Sequence, residues 1–263
     1  MNSVAVINET GNIFFVKEDS IVRTIWGKAD TVLFIFAGSA AEFALNKAVD
    51  WLYFTGNLPA DPLGRLFSTV SYAREIVFAK REDALKAIDK IAAIHAGVET
   101  ARGASIPDWA YRDVLFMLID YSIRSFEILE RKLSNIEKEE VFNVFYRIGD
   151  RMGLKELPAT FKAWLKMRDE HLNENLIAGN YTKDLFVQYK KHLGLIRYAV
   201  LTEVQKLIVP KRVKTLLQYG NIKTIMPLLA AYKFSRKLKL DWFLKSLLLP
   251  EKYKQQVKNL DYK

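Results

Sequence analysis

Apolar residues recur along most of the chain at steps of three and four, the period of an amphipathic helix, while alternation with a period of two is confined to the start. There, residues 4–7 and 13–16 are apolar runs flanking a polar Asn8-Glu9-Thr10-Gly11-Asn12 turn, which predicts a small hairpin within an N-terminal appendage, residues 1–18. A short helix is predicted near 20–26 and a long one over 30–54, with Gly38 as a weak point or a place of close backbone approach and Gly56 and Pro59 stopping it. Asp61-Pro62 reads as an N-cap followed by proline at the first helical position, opening a helix to about 78. Residues 83–98 form a further amphipathic stretch. Pro107 starts a long, largely apolar helix to about 133, and Ser134 with Glu137 has the spacing of a capping box that begins another, ended at Gly153. Pro158 heads a helix to about 175, and Thr182 caps one that reaches 208 before Pro210. Shorter helices are expected at 211–218, 222–238, 242–248 and 251–257.

No repeat, low-complexity linker or break in composition divides this series, so the predicted fold class is all-α, a single-domain multi-helix bundle of residues 1–263. A chain of 263 residues, half of them hydrophobic and 27% charged, can bury a substantial core and is not of disordered type. The complete lack of cysteine removes disulfides, thiolate catalysis, zinc–thiolate and iron–sulfur sites, and cysteine-ligated haem. Any metal must therefore be held by His, carboxylate, Tyr or Met.

Charge changes the picture at one end. Residues 206–263 carry fourteen Lys or Arg against three acids, an excess larger than the +10 of the whole chain. This basic C-terminal helical segment is either a solvated lysine-rich surface or a patch that attracts an anionic membrane or, less readily, nucleic acid. Residues 1–18 lack a positive flank followed by an apolar run, so a cytoplasmic location is the expectation. The longest apolar stretch, residues 31–45, contains Glu42 and is too short to cross a bilayer.

Three histidines can be weighed one at a time. His95 shares the apolar stripe of Leu85, Ile88, Ile91, Ala92 and Val98, away from Lys86, Asp89 and Lys90, and is expected to face the core. A buried neutral imidazole is a good ligand for haem iron because it adds no second buried charge, although a lone histidine on an apolar face is more often a hydrogen-bonded core residue. On the preceding helix Arg65, Ser68, Thr69 and Tyr72 stand at i, i+3, i+4 and i+7 and so share one face. A guanidinium there suits a carboxylate such as a haem propionate, and the hydroxyls can donate to a propionate or to bound oxygen; an ordinary solvated polar stripe has the same pattern. His171, between Glu170 and Glu174, reads as an exposed polar face, and His192 after Lys190 and Lys191 as surface. No Glu-x-x-His pair, Gly-rich phosphate loop or serine-nucleophile motif occurs.

The segment Asp61-Pro62-Leu63-Gly64-Arg65-Leu66-Phe67-Ser68-Thr69, followed at Ile94-His95-Ala96-Gly97-Val98, resembles the signatures of the family that contains the fungal MpaB oxygenases and the latex-clearing (rubber) oxygenases. Phe36-Ala37-Gly38, Ile106-Pro107-Asp108 and Met152-Gly153-Leu154 extend the likeness over residues 26–175. The resemblance implies globin-like helical packing around a haem b, with His95 as the proximal iron ligand and Arg65 and Thr69 beside the haem as catalytic residues. Ser68 and Tyr72 would complete the cofactor-binding pocket. It also implies an apolar, isoprenoid- or lipid-like substrate cleaved at a carbon–carbon double bond with O2. Rubber oxygenases carry a lysine just before the threonine, where this chain has Ser68, so no distal lysine is expected. The alternative is a non-catalytic helical protein that uses residues 206–263 to bind an anionic membrane surface or nucleic acid.

Overall fold

A computed structural model describes residues 13–56, 60–220 and 226–237, in which eleven helices and no strand are found among the described residues. They are α1 (Ile21–Trp26), α2 (Ala29–Phe43), α3 (Val49–Phe54), α4 (Pro62–Phe78), α5 (Arg81–Arg102), α6 (Asp108–Leu129), α7 (Asn135–Arg151), α8 (Phe161–Glu174), α9 (Asn180–Ile208), α10 (Lys211–Leu216) and α11 (Met226–Lys237). The protein is all-α.

Local chemistry sets the helix ends. The Asp61 carboxylate accepts from the Gly64 backbone N–H at 2.9 Å and Pro62 follows as the first helical residue. Ser134 and Glu137 close the reciprocal capping box, with the Glu137 N–H donating to Ser134 Oγ at 3.2 Å and the Ser134 N–H to Glu137 Oε2 at 2.8 Å. Gly103, at φ 67°, ends α5 in the left-handed conformation.

α2 and α6 pack along much of their lengths, and α4 lies on both α5 and α9. Gly38 permits the first contact: a Cβ there would meet the Tyr121 ring at 2.4 Å. α7 and α8 also pack on α6. One hydrophobic cluster runs from Phe15 to Val213 and includes fully buried Trp26, Phe116, Phe145 and Trp164. The Trp26 indole N–H donates to Ser122 Oγ at 3.2 Å, so this large ring is buried with its polar atom satisfied.

Several boundaries differ from the sequence expectation for identifiable reasons. The long helix expected over 30–54 is broken between α2 and α3. Asn46 accepts the Ala48 N–H on its own side chain, and the backbone there turns aside to pair with residues 175–177, Leu45 accepting from the Ile177 N–H at 2.8 Å. The helix predicted from Pro158 starts instead at Phe161, where Thr160 Oγ1 accepts from the Ala163 N–H. Thr182 is not the N-cap of α9 but its third residue, and its hydroxyl takes the Gly179 N–H. The first arm of the expected hairpin lies outside the described residues. Its second arm runs beside the α4–α5 junction, where Phe14 pairs with Lys80 and Ile13 accepts from the Arg81 N–H.

The basic C-terminal segment begins inside the fold. Ile208, Val209 and Val213 belong to the core, and Arg236 on α11 pairs with Asp30 at 3.2 Å and Glu130 at 2.6 Å. Residues 238–263, with the helices expected at 242–248 and 251–257, lie outside the described residues. Among the described residues no helix is long and apolar enough to cross a membrane.

Candidate functional site

α2, α4, α5, α6, α7 and α9 enclose a cavity of about 1200 Å³ whose lining is overwhelmingly apolar. That exceeds the ~300–1,000 Å³ of an ordinary small-molecule pocket, leaving room for more than one occupant. It arises because neighbouring amphipathic helices present apolar faces that do not meet. The first half of α5 buries Ala84, Ala87 and Ile88 in the core, whereas Ile91, Ile94, His95 and Val98 in its second half face the cavity. His95 thus keeps its predicted stripe, but it is half-buried on a cavity wall and not enclosed in packed core.

The Tyr111 ring stands edge-on to His95, with centroids 5.2 Å apart and an interplanar angle of 64°. Tyr111 is itself held, its hydroxyl donating to Glu99 Oε1 at 3.1 Å while the same oxygen accepts the Ile106 N–H at 2.8 Å. Burial and then the Glu99 carboxylate push the Tyr111 phenol above its ordinary pKa, so it stays protonated and a donor. The Ile106-Pro107-Asp108 turn is thereby tied to the helix bearing His95. Tyr111 carries no motif of its own and was missed in the sequence, although its place four residues after Pro107 on an apolar helix was the available signal.

Ser68, Thr69 and Tyr72 all line the same cavity, as their shared helical face predicts. Lys90 Nζ lies 5.5 Å from the Tyr72 ring centroid, a cation–π contact joining α4 to α5. The fourth member of that set, Arg65, has its backbone in α4, and its side chain lies outside the described residues.

The donor set suits one kind of iron centre better than another. Among the described residues no group of three or more His, Cys, Asp or Glu converges to hold a bare metal ion. A haem brings its own four ring nitrogens and asks the protein for an axial imidazole, an apolar slot and polar groups at the rim. His95, the cavity and the α4 hydroxyls meet those requirements, so the residues present fit the group.

His171 overturns its sequence reading. It is 8% exposed, stacks on Phe116 with centroids 5.2 Å apart and an interplanar angle of 25°, and sets Nδ1 against the Asp113 carboxylate. Asp113 also accepts from Asn46 Nδ2 at 2.7 Å and Asn175 Nδ2 at 3.1 Å. The reason lies in phase: Trp164, Arg168, His171 and Leu172 share the buried face of α8, whereas Glu170 and Glu174 point outward. The neighbouring Arg168 donates to Glu42 at 2.5 and 2.7 Å and to Asp120 at 3.1 Å, while the Tyr121 hydroxyl donates to Glu42 at 2.8 Å. Burial disfavours the Arg168 cation, but the Glu42 and Asp120 carboxylates outweigh it and hold its pKa above the ordinary value. This network explains the lone acid in the longest apolar stretch.

Residues 26–238 match the family described as ER-bound oxygenase mpaB/B'/Rubber oxygenase, catalytic domain. The match covers most of the chain, which therefore belongs to that family of oxygenases. Comparisons with curated proteins and with solved structures give no match.

Proposed function

We propose, taking membership of this oxygenase family as the premise, that the chain is a haem b-dependent oxygenase that cleaves carbon–carbon double bonds of an isoprenoid- or lipid-like substrate with O2. One observation carries the reading: the single imidazole that the sequence marks as a ligand lies on the wall of a large apolar cavity, together with three hydroxyls of the α4 motif. His95 would hold the haem iron. Bound there, the haem supplies the dioxygen chemistry that the side chains of a cysteine-free chain cannot.

The protein's own part is positioning. Tyr111, fixed by Glu99, limits the swing of the His95 ring, so that the ligating nitrogen is held toward the cavity. Ser68, Thr69 and Tyr72 place hydroxyl donors on the wall, and Arg65 and Thr69 take the catalytic places that the family motif assigns. Leu33, Phe36, Val114 and Leu118 offer an apolar chain a water-poor bed. With Ser68 in place of a lysine, the wall near the cofactor has no competing cation at that position.

Titration of the purified protein with haemin should give one saturable site with a sharp Soret band. The loaded protein should then form a carbonyl product from a polyisoprenoid such as squalene, trapped with a hydrazine reagent, with matching O2 uptake. A protein that takes up no haemin, or takes it up without O2-dependent carbonyl formation from any unsaturated apolar chain, would contradict the proposal.

A further inference from the structure

The cavity wall built by the second half of α9 contains a group whose chemistry the oxygenase reading leaves unused. Leu193, Arg197, Val200, Leu201 and Val204 all line the cavity and follow one helical face at steps of four, three, one and three. Arg197 therefore occupies a position in an otherwise apolar stripe. Its Nε is buried without a hydrogen-bond partner, and among the described residues no carboxylate pairs with it. The acids of the same lining are engaged elsewhere: Asp30 accepts from Tyr232 at 3.2 Å and pairs with Arg236, and Asp61 caps α4. Its Nε has thus lost hydration without gaining a partner among the described residues, while the rest of the half-buried side chain reaches the cavity.

The backbone nearby is also set for this placement. Gly194, one turn before Arg197, has φ 75° and ψ 171°, a conformation essentially limited to glycine, and it kinks α9. The kink turns Leu195 and Ile196 outward, 69% and 78% exposed, while Arg197 stays on the cavity side. A straight helix would present a different register to the cavity beyond this point.

We propose that Arg197 is the anion anchor of the cavity, receiving a carboxylate carried at one end of an otherwise apolar occupant. This deepens the oxygenase reading and rests on it only for what that occupant is. Two sources supply the same chemistry: a long-chain or isoprenoid acid as substrate, or a propionate of the haem. Either carboxylate would take two parallel N–H donors from the planar guanidinium, a geometry that lysine cannot copy.

Matched acids and esters separate the sources. Affinities of the purified protein for oleate against methyl oleate, and for haemin against haemin dimethyl ester, are measured for the wild type, Arg197→Gln and Arg197→Lys. The wild type should prefer at least one acid over its ester by roughly 10- to 100-fold, the span of a charge-assisted hydrogen-bonded pair. Arg197→Gln should erase that preference by weakening the acid alone, and Arg197→Lys should keep only part of it. Preference in the oleate pair assigns the anchor to substrate, and preference in the haemin pair assigns it to the cofactor. Because Arg197 has no hydrogen-bond partner at Nε to lose among the described residues, both variants should melt at or above the wild-type temperature, so a loss of binding cannot be ascribed to unfolding. Equal affinity for acid and ester in the wild type, or an acid preference that survives in Arg197→Gln, overturns the proposal. Colourless protein that still discriminates oleate from its ester would instead sink the haem reading and leave the anchor standing.

Discussion

His171 and His95 both meet residues of α6, Phe116 and Tyr111 respectively, in very different surroundings. His171 is 8% exposed, flat against Phe116 and set on an Asp113 carboxylate that two asparagines also hold. His95 is half-buried beside a cavity of about 1200 Å³, with an edge-on tyrosine as its ring contact. The first region is closed polar scaffolding, in which each charge is answered by protein. The second is an apolar chamber with a few polar residues on its wall. Burial alone therefore does not single out the histidine proposed as ligand. What marks it is space in front of the ring.

If the closed region is scaffolding, breaking it should cost stability before anything else. The largest effect is expected from Arg168→Leu, which leaves the buried Glu42 carboxylate without a cation, held only by the Tyr121 hydroxyl, while Asp120 keeps Arg124. Chemical denaturation should register a loss of about 3–5 kcal/mol, the usual cost of removing one partner from a buried ion pair. Double replacement of Arg168 and Glu42 by apolar residues should recover much of it.

Next in size is His171→Leu, expected to lose about 1–3 kcal/mol because the buried Asp113 carboxylate forfeits its imidazole contact. The same variant should leave haemin uptake unchanged. A thermal melt and a Soret titration of one sample test both halves of the contrast between the two histidines.

Gly194→Ala probes the chamber side. An L-residue at φ 75° and ψ 171° is strained, so a cost of about 1–3 kcal/mol is expected, or else a straightened α9 that displaces Arg197. Loss of acid-over-ester discrimination in this variant, with a cooperative melt retained, would tie the kink to the cavity.

The smallest effect belongs to the surface. Glu137 is pushed down to about 2 from an ordinary 4.5, chiefly by its hydrogen bond with Arg131 and then by the Ser134 backbone N–H. A folded-state pKa below the unfolded one adds stability that is fully present above about 4.5 and is lost as pH falls toward about 2. Glu137→Gln should therefore flatten the acid limb of the stability profile slightly and change nothing at either histidine. Solvent screening keeps this contribution small.

Much of the chamber was legible in the sequence because its signals are local. Asp61-Pro62 fixes where α4 starts, and from there the spacing of Ser68, Thr69 and Tyr72 puts three hydroxyls on one face. At Gly38 the sequence offered a weak point or a close approach, and the contact with Tyr121 is the second of these. The scaffold was illegible because its pairings are not local. His171 was read with Glu170 and Glu174, its chain neighbours, whereas its partner Asp113 comes from another helix. Asn46 broke a helix that apolar periodicity carried straight through, since its competing partners lie at Ala48 and Asp113. Arg197 carries no motif in the sequence; only the cavity shows that its stripe is otherwise apolar.

The central claim, that His95 is the protein's ligand to haem iron, is tested most directly by the visible spectrum of His95→Gly loaded with haemin, with and without added imidazole. The account predicts a weakened and shifted Soret band in the variant, restored toward the wild-type position when free imidazole fills the space left by the side chain, while His171→Gly shows no such dependence. A wild-type spectrum in His95→Gly without imidazole would contradict it.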